Sequence, residues 1–210
     1  MIKHVWFDTS GTLYRELPEY QAAHDDYLYK EMAAVTGETD IEKLKAQYAD
    51  LYEQHGSNSA VFQALGKPVD YWQKKFEGFD SNSWLKPDPE ITDTLRQLKD
   101  RLAISLFTNL RIGKLEDLLQ DLEIPRQFFT NVLSATDVGK PKPDLAGFHK
   151  MVELTGVDAA EILYVGDKVN KDIKPAKKVG MITCLVYSYS PEADYSIDAF
   201  PELLKIVTPK

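Results

Sequence analysis

The sequence is poor in the features that secreted and membrane proteins depend on. Cys184 is its single cysteine, so no disulfide can form within the chain, and the sequence is compatible with a reducing compartment. No apolar run approaches the ~20 residues that a membrane span requires. The first residues, MIKHVWFD, read directly into a strand and lack the apolar stretch and cleavage site of a signal peptide. We therefore expect a cytoplasmic protein.

Basic residues are fewer than acidic residues in this chain. The chain has 25 lysines and arginines against 33 aspartates and glutamates, which gives a formal charge of -8 at pH 7. Binding to a nucleic-acid backbone or to an anionic membrane needs a basic surface. We therefore expect neither as a partner, although a local basic pocket is compatible with this charge. A chain of 210 residues suffices for one substantial core, or for a core with a smaller insert.

Short runs of β-branched and aromatic residues recur along the chain and end in polar residues. The clear runs are IKHVWFD, AISLFTN, EILYVGD and MITCLVY, and FFTNVLSA is a weaker fifth. Segments of helical period lie between them, such as ITDTLRQLKD, KLEDLLQDLEI and DLAGFHKMVELTG. Strands that alternate with helices predict an α/β fold, a Rossmann-like doubly wound parallel sheet with both faces covered.

Three of the strand-like runs end in residues that can bind a ligand. These are Asp8, Thr108 with Asn109, and Asp167. In an open parallel sheet, ligands bind in the crevice beyond the carboxyl ends of the strands. We therefore expect these residues to converge, although they lie far apart in the sequence.

A long helical segment follows the first strand. Residues 15–85 contain no strand-like run, and helical periodicity is present in PEYQAAHDDYLYKEMAAVTG and TDIEKLKAQYADLYEQHG. Unstructured loops of this length are rare in compact domains, so we predict an inserted α-helical subdomain at 15–85, with 1–14 and 86–210 forming the α/β core. Aromatic residues are abundant in the insert, and at helical spacing they form a core more often than a substrate pocket.

Four short motifs lie at or after the predicted strand ends: FDTSGTL, LFTN, GKPKPD and VGDKVNKD. In this order they resemble the four motifs of the haloacid dehalogenase superfamily, in the branch with a helical cap inserted after the first strand. The resemblance covers essentially the whole chain. It implies a Mg²⁺-dependent phosphohydrolase that acts on a small phosphorylated substrate.

The resemblance also implies roles in phosphoryl transfer. Asp8 is the expected nucleophile, which forms an aspartyl-phosphate. The hydroxyl of Thr108 and the backbone N–H of Asn109 are expected to bind phosphate oxygens. The family pattern, lysine-proline-any-proline, selects Lys140 as the cation that offsets the repulsion between carboxylates and phosphate. Lys142 is then expected to be a solvated surface residue.

A magnesium site is implied beside the nucleophile. Mg²⁺ prefers oxygen ligands in octahedral geometry. By resemblance, these ligands are the carboxylates of Asp8 and Asp167 and the backbone carbonyl of Ser10. Asp172 is expected in the same metal site, where orienting a metal-bound water or Lys140 is favoured over direct ligation. The alternative for Asp172 is a helix N-cap.

Ser10 departs from the family pattern, which usually has a second aspartate there. In the family's phosphatases, this acid protonates the departing alkoxide and then activates the hydrolytic water. A serine hydroxyl does neither efficiently, because its pKa is far from neutral, and losing a general acid/base typically costs about 10²–10⁴ in rate. We therefore expect a slow or specialised phosphohydrolase. The alternatives are a phosphotransferase with a long-lived aspartyl-phosphate and a catalytically retired protein that binds a phosphorylated ligand or a protein partner. Dehalogenation is disfavoured, because the dehalogenases lack the Gly-Asp pair that stands here as Gly166 and Asp167.

Other polar residues have weaker claims to function. A basic run follows the fourth motif, and we expect it to be a solvated helix face. His24 and His55 in the insert could act as proton donors, but structural or exposed histidines are more common. The lysines of the basic run are Lys168, Lys171, Lys174, Lys177 and Lys178.

Overall fold

The structure is a computed structural model that describes residues 1–80 and 84–207. It divides into two units, of which the first comprises Met1–Arg15 and Lys86–Lys210 and the second comprises Glu16–Leu85. These bounds differ by one residue from the predicted ones, 1–14 with 86–210 and 15–85. No helix in the described ranges combines the length and the apolar character that a bilayer crossing requires.

A parallel sheet forms the centre of the first unit. Within the described ranges its strands are β1 (His4–Phe7), β2 (Ala103–Thr108), β3 (Val132–Ser134), β4 (Ile162–Gly166), β5 (Ile182–Val186) and β6 (Tyr195–Ile197). Every pairing is parallel, and the spatial order is β3-β2-β1-β4-β5-β6. The predicted α/β fold is therefore confirmed. Of these strands only β6 was not predicted, because its run YSI is half exposed and lacks the apolar character of the other strands.

The longer helices follow the predicted segments, and two short ones at Ala135–Val138 and Leu203–Ile206 were not predicted. In the second unit they are α1 (Pro18–Thr36), α2 (Ile41–His55), α3 (Asn58–Ala64) and α4 (Tyr71–Phe76). In the first unit they are α5 (Pro89–Lys99), α6 (Ile112–Asp121), α7 (Ala135–Val138), α8 (Leu145–Thr155), α9 (Lys174–Lys178) and α10 (Leu203–Ile206). Three 3₁₀ turns, at Arg126–Phe128, Ala159–Glu161 and Phe200–Glu202, and a π-helical turn at Val169–Ile173 complete the described elements.

The core of the first unit is packed around the central strand. All four residues of β1 are buried, as expected for a parallel strand covered on both faces. Trp6 shares a buried cluster with Phe107, Phe148 and Tyr164. Gly147 allows α8 to approach β2, because a Cβ at this position would lie 2.1 Å from the ring of Phe107. A larger residue there would push the helix away from the sheet.

The second unit has its own aromatic core. Phe62 and Trp72 are stacked with ring centroids 5.3 Å apart, and Leu28, Met32 and Leu44 join their buried cluster. The ring of His24 lies edge-on to Trp72, Phe76 and Phe79. The helically spaced aromatics of this segment therefore build a hydrophobic core, as expected for a small bundle.

Candidate active site

Three polar strand ends converge at the carboxyl edge of the sheet. Strand β1 pairs with β2 on one side and with β4 on the other. Asp8, Thr108 and Asp167 therefore stand at or directly beyond the ends of three adjacent strands. This arrangement follows from the parallel topology, because parallel neighbours end at the same edge.

Asp8 is held in a tight turn after β1. Its backbone N–H donates to the carbonyl of Val165 at 2.8 Å, which continues the pairing of β1 with β4. The N–H groups of Thr12 and Leu13 both donate to the carbonyl of Thr9, at 3.3 and 2.9 Å. The backbone of Asp8 is thereby fixed at the strand end, where Asp8 is only 4% exposed.

Two glycines allow the acidic side chains to come close. Gly11 has a φ of 75°, and a Cβ there would lie 2.4 Å from Oδ2 of Asp167. A Cβ on Gly166 would lie 2.5 Å from Cβ of Asp172. As a result, one ligand oxygen each from Asp8, Asp167 and Asp172 lie within 4.8 Å of one another. Carboxylates this close repel one another unless a cation is present.

Lys142 supplies that cation and is fully buried. Its Nζ donates to Oδ1 of Asp8 at 2.5 Å, to Oδ1 of Asp172 at 2.7 Å and to the hydroxyl of Tyr164 at 3.0 Å. Three donors therefore meet three acceptors. Burial alone would lower the pKa of Lys142, but the charges of Asp172 and Asp8 outweigh it and raise this pKa above its ordinary value.

The prediction that Lys140 is the cation of the site is wrong. The Lys140 side chain is exposed, and its Nζ lies 3.2 Å from Oδ2 of Asp144, the residue that caps α8. Lys142, predicted to lie at the surface, contacts the carboxylates instead. The segment KPKP contains two lysine-proline pairs, so the one-dimensional pattern placed the residue two positions too early.

The side chain of Asn109 binds the backbone of Lys142. Its Oδ1 accepts the N–H of Lys142 at 2.8 Å, and its Nδ2 donates to the carbonyl of Lys142 at 3.2 Å. The sequence suggested only a backbone role for Asn109. The neighbouring Thr108 is buried, and its Oγ1 accepts the N–H of Leu110 at 3.1 Å.

Asp172 orients the lysine. It is fully buried in the π-helical turn, where Oδ1 accepts from Lys142 and from the hydroxyl of Tyr164, and Oδ2 accepts the N–H of Lys168 at 3.2 Å. The expected orienting role therefore falls on Lys142 and not on Lys140. Tyr164 was not identified from the sequence. The available signal was a tyrosine inside a buried strand, because a buried hydroxyl requires a partner.

The electrostatics of Asp8 reflect its burial. Burial raises its pKa, Lys142 opposes the rise, and Asp172 adds to it, which leaves a pKa of about 6. Asp8 is therefore mainly ionised at pH 7. The charge of Lys171 also lowers this pKa, so this lysine acts on the site. Lys168 also contacts the acidic cluster, with its Nζ 2.8 Å from Oδ2 of Asp167.

The acidic cluster has the chemistry of a site for a hard divalent cation. Mg²⁺ favours oxygen ligands and usually takes one or two carboxylates together with waters. Asp8 and Asp167 fit this requirement, and the glycine at position 11 leaves room between the turn and Asp167. Both oxygens of Asp172 already accept hydrogen bonds, so its observed contacts favour holding Lys142.

Comparison with known proteins identifies the family. A family model described as haloacid dehalogenase-like hydrolase matches residues 5–186. This chain belongs to the haloacid dehalogenase-like hydrolases. The resemblance predicted from the four motifs is thereby confirmed.

Two curated relatives of this haloacid dehalogenase-like hydrolase span nearly the same length. The glyceraldehyde 3-phosphate phosphatase of Methanocaldococcus jannaschii is 31% identical, over 99% of this chain and 97% of the relative. The phosphoglycolate phosphatase of Pectobacterium atrosepticum is 26% identical, over 98% of this chain and 92% of the relative. Both relatives carry phosphatase names.

Solved structures show the same fold. A haloacid dehalogenase-like phosphatase from Thermococcus onnurineus aligns with a TM-score of 0.70 and 24% identity, covering 98% of both chains. A 2-haloacid dehalogenase from Pseudomonas syringae pv. Tomato aligns with a TM-score of 0.63 and 25% identity, covering 99% of this chain and 98% of the other. Fold alone therefore does not separate the two activities, and residues of the site must do so.

Proposed function

We propose that this haloacid dehalogenase-like hydrolase is a Mg²⁺-dependent phosphohydrolase that acts on a small phosphorylated metabolite through an aspartyl-phosphate on Asp8. The observation that carries the proposal is the ion pair between Asp8 and the fully buried Lys142, with Asp167 close enough to share a metal ion with Asp8. Phosphoryl transfer requires a nucleophile, a cation at the phosphate and fixed donors.

The residues of the core have complementary roles in this mechanism. Lys142 holds one oxygen of the Asp8 carboxylate and orients the other for in-line attack on phosphorus. The hydroxyl of Thr108 and the backbone N–H of Asn109 would bind the phosphate oxygens. Asp8, Asp167 and the backbone carbonyl of Ser10 would hold Mg²⁺, which when bound neutralises charge on the phosphate. Asp172 keeps Lys142 in place.

The phosphatase names of the two curated relatives support a phosphorylated metabolite as substrate. The Gly166-Asp167 pair supports metal-assisted chemistry and disfavours dehalogenation. In this proposal the helical unit serves as a cap that selects the substrate.

Ser10 favours a second candidate function. Position 10 carries a hydroxyl where a carboxylic acid would handle protons, so hydrolysis of the aspartyl-phosphate should be slow. Slow hydrolysis gives the aspartyl-phosphate a long lifetime. A phosphotransferase would use that lifetime to pass the phosphoryl group from Asp8 to an acceptor other than water. A protein that binds a phosphorylated ligand without turnover is the third possibility.

One experiment separates these functions. The protein is incubated with Mg²⁺ and p-nitrophenyl phosphate, and both released phosphate and the intact mass are followed. We expect slow release that is lost on adding a chelator and absent in Asp8→Asn. A mass gain on Asp8 with little release would favour the phosphotransferase. Neither release nor mass gain with this or any other phosphorylated compound would favour a binding protein, and a fully active Asp8→Asn variant would refute the mechanism.

A further inference from the structure

None of the three carboxylates in the acidic cluster is available to protonate a leaving group. Asp8 is the proposed nucleophile and is bonded to Lys142. Asp172 is fully buried, and both of its oxygens accept hydrogen bonds. Asp167 pairs with Lys168 and is a proposed metal ligand. All three carboxylates of the cluster are therefore committed to other tasks, and position 10 adds only a hydroxyl.

The buried lysine is no substitute for this acid. Nζ of Lys142 has three donors, and its hydrogen bonds to Asp8, Asp172 and Tyr164 use all of them. Lys171 is half-buried, and its charge acts on Asp8. It is therefore an alternative proton donor that an experiment can test.

These contacts restrict the leaving groups that the site can expel. An alkyl phosphate releases an alkoxide, which is so basic that its departure needs a proton from a general acid. An acyl phosphate releases a carboxylate, whose conjugate acid has a pKa of about 4, so no proton is required at neutral pH. We propose that the substrate class of this site is the acyl phosphates, the mixed anhydrides of a carboxylic and a phosphoric acid. This inference rests on the proposed function and deepens it.

Both chemical steps balance without a general acid. In the first, an oxygen of Asp8 forms a bond to phosphorus, the bond from phosphorus to the acyl oxygen breaks, and the electron pair leaves with the carboxylate. In the second, a water oxygen bonds to phosphorus, and the bond to Asp8 breaks and restores its carboxylate. The two protons of the water stay with the phosphate product and the solvent. The products are one carboxylate and one inorganic phosphate.

The energetics of the first step also favour this class. The aspartyl-phosphate on Asp8 is itself an acyl phosphate, so transfer from another acyl phosphate exchanges one bond for another of the same kind. Transfer from an alkyl monoester would instead create a less stable bond and a strong base together. A site without a general acid therefore favours an acyl phosphate for two reasons: the bond formed is of the same kind as the bond broken, and the leaving group needs no proton.

A leaving-group series tests the proposal on the unmodified protein. The substrates are acetyl phosphate, p-nitrophenyl phosphate and ethyl phosphate, each with Mg²⁺, and Asp8→Asn supplies the background rate. We expect kcat/KM for acetyl phosphate to exceed that for ethyl phosphate by at least about 10²-fold, the usual contribution of a general acid. Intact-mass spectrometry should detect the phosphoryl adduct on Asp8 with acetyl phosphate and not with ethyl phosphate.

Two variants identify the cause of this preference. Ser10→Asp should raise kcat/KM for ethyl phosphate by at least about 10-fold. The ratio of kcat/KM for acetyl phosphate to kcat/KM for ethyl phosphate should therefore become smaller. Lys171→Met should leave this ratio of kcat/KM values unchanged. Lys140→Met removes an exposed lysine and serves as the control. A selective loss of ethyl phosphate turnover in Lys171→Met would show that a lysine is the acid and would overturn the proposal.

The failure of this inference differs from the failure of the proposed function. Equal kcat/KM for acetyl and ethyl phosphate would overturn the substrate class, while the phosphohydrolase proposal would stand. Absence of both turnover and adduct with all three substrates would remove the phosphohydrolase proposal as well. The series needs no variant for its main result, so a poorly folding substitution does not prevent the test.

Discussion

The side-chain amide of Asn109 binds both polar backbone groups of Lys142, with 2.8 Å from the lysine N–H to Oδ1 and 3.2 Å from Nδ2 to the lysine carbonyl. This pair links the end of β2 to the loop before α8. The backbone of the loop is thereby held at the position from which the long lysine side chain reaches Asp8.

Replacement of Lys142 should have the largest effect. Lys142→Met leaves the buried Asp8 and Asp172 without their shared cation, so we expect at least about a 10²-fold loss of kcat/KM and a loss of about 3–5 kcal/mol in the free energy of unfolding. Urea unfolding and steady-state kinetics with p-nitrophenyl phosphate measure both quantities. Lys140→Met is the matched control from the same motif, because an exposed ion pair contributes only ~0–1 kcal/mol. The reverse result, with Lys140 essential and Lys142 dispensable, would contradict the structure.

Loss of the Asn109 amide should make the position of Lys142 less well defined, although the lysine itself is still present. We expect Asn109→Ala to lower the free energy of unfolding by about 1–3 kcal/mol, because the N–H and carbonyl of Lys142 lose their partners. Activity should fall mainly in kcat, since Asp8 would be less well oriented. Asn109→Asp keeps the acceptor for the Lys142 N–H but places a carboxylate oxygen, which cannot donate, against the Lys142 carbonyl, so it should not restore the lost stability. Wild-type kcat in Asn109→Ala would show that the amide does not position Lys142.

Magnesium should stabilise the folded protein through Asp167. A ligand that binds only the native state raises the melting temperature with its concentration. We expect Mg²⁺ to raise the melting temperature of the wild type and to have no such effect on Asp167→Asn, measured by differential scanning fluorimetry. Asp144→Asn is a control carboxylate outside the cluster and should retain the shift. A full shift in Asp167→Asn would place the metal elsewhere.

His4 should make stability depend on pH. Its ring nitrogen Nε2 lies 2.9 Å from Oγ of Ser105, and burial lowers its pKa from 6.5 to about 4 in the folded protein. Between pH 6.5 and pH 4 the unfolded state therefore binds a proton that the folded state does not. Stability from the neutral ring is fully present above pH 6.5 and is lost as the pH falls towards 4.

Comparison with a non-titrating variant isolates this contribution. The raised pKa of Asp8 acts in the opposite direction over part of the same pH range, so the wild type alone does not report on His4. The difference in unfolding free energy between the wild type and His4→Gln should shrink as the pH falls from 7.5 to 4.5. A difference that is constant with pH would exclude a depressed pKa at His4.

The local patterns in the sequence were sufficient to predict most of the elements. Buried parallel strands read as continuous apolar runs, and helices as amphipathic periods, so β1, β2, β4, β5 and the long helices could be located. The edge strand β6 could not, because its short run YSI is half exposed and its strand conformation depends on pairing with β5. Convergence of Asp8, Thr108 and Asp167 also followed from the sequence, since parallel strands end at one edge of the sheet.

The contacts within the site were decided by the tertiary structure. KPKP offers two lysines, and the one that enters the core depends on the pairing of Asn109 with the Lys142 backbone, two groups separated by 33 residues. Tyr164 likewise contributes to the site because Asp172 and Lys142 lie beside its hydroxyl. The sequence by itself determined the α/β fold and the convergence of the polar strand ends, because these depend on residue type and local pattern. Only the folded chain decided which cation balances the buried carboxylates, because that choice depends on which side chain reaches them through space.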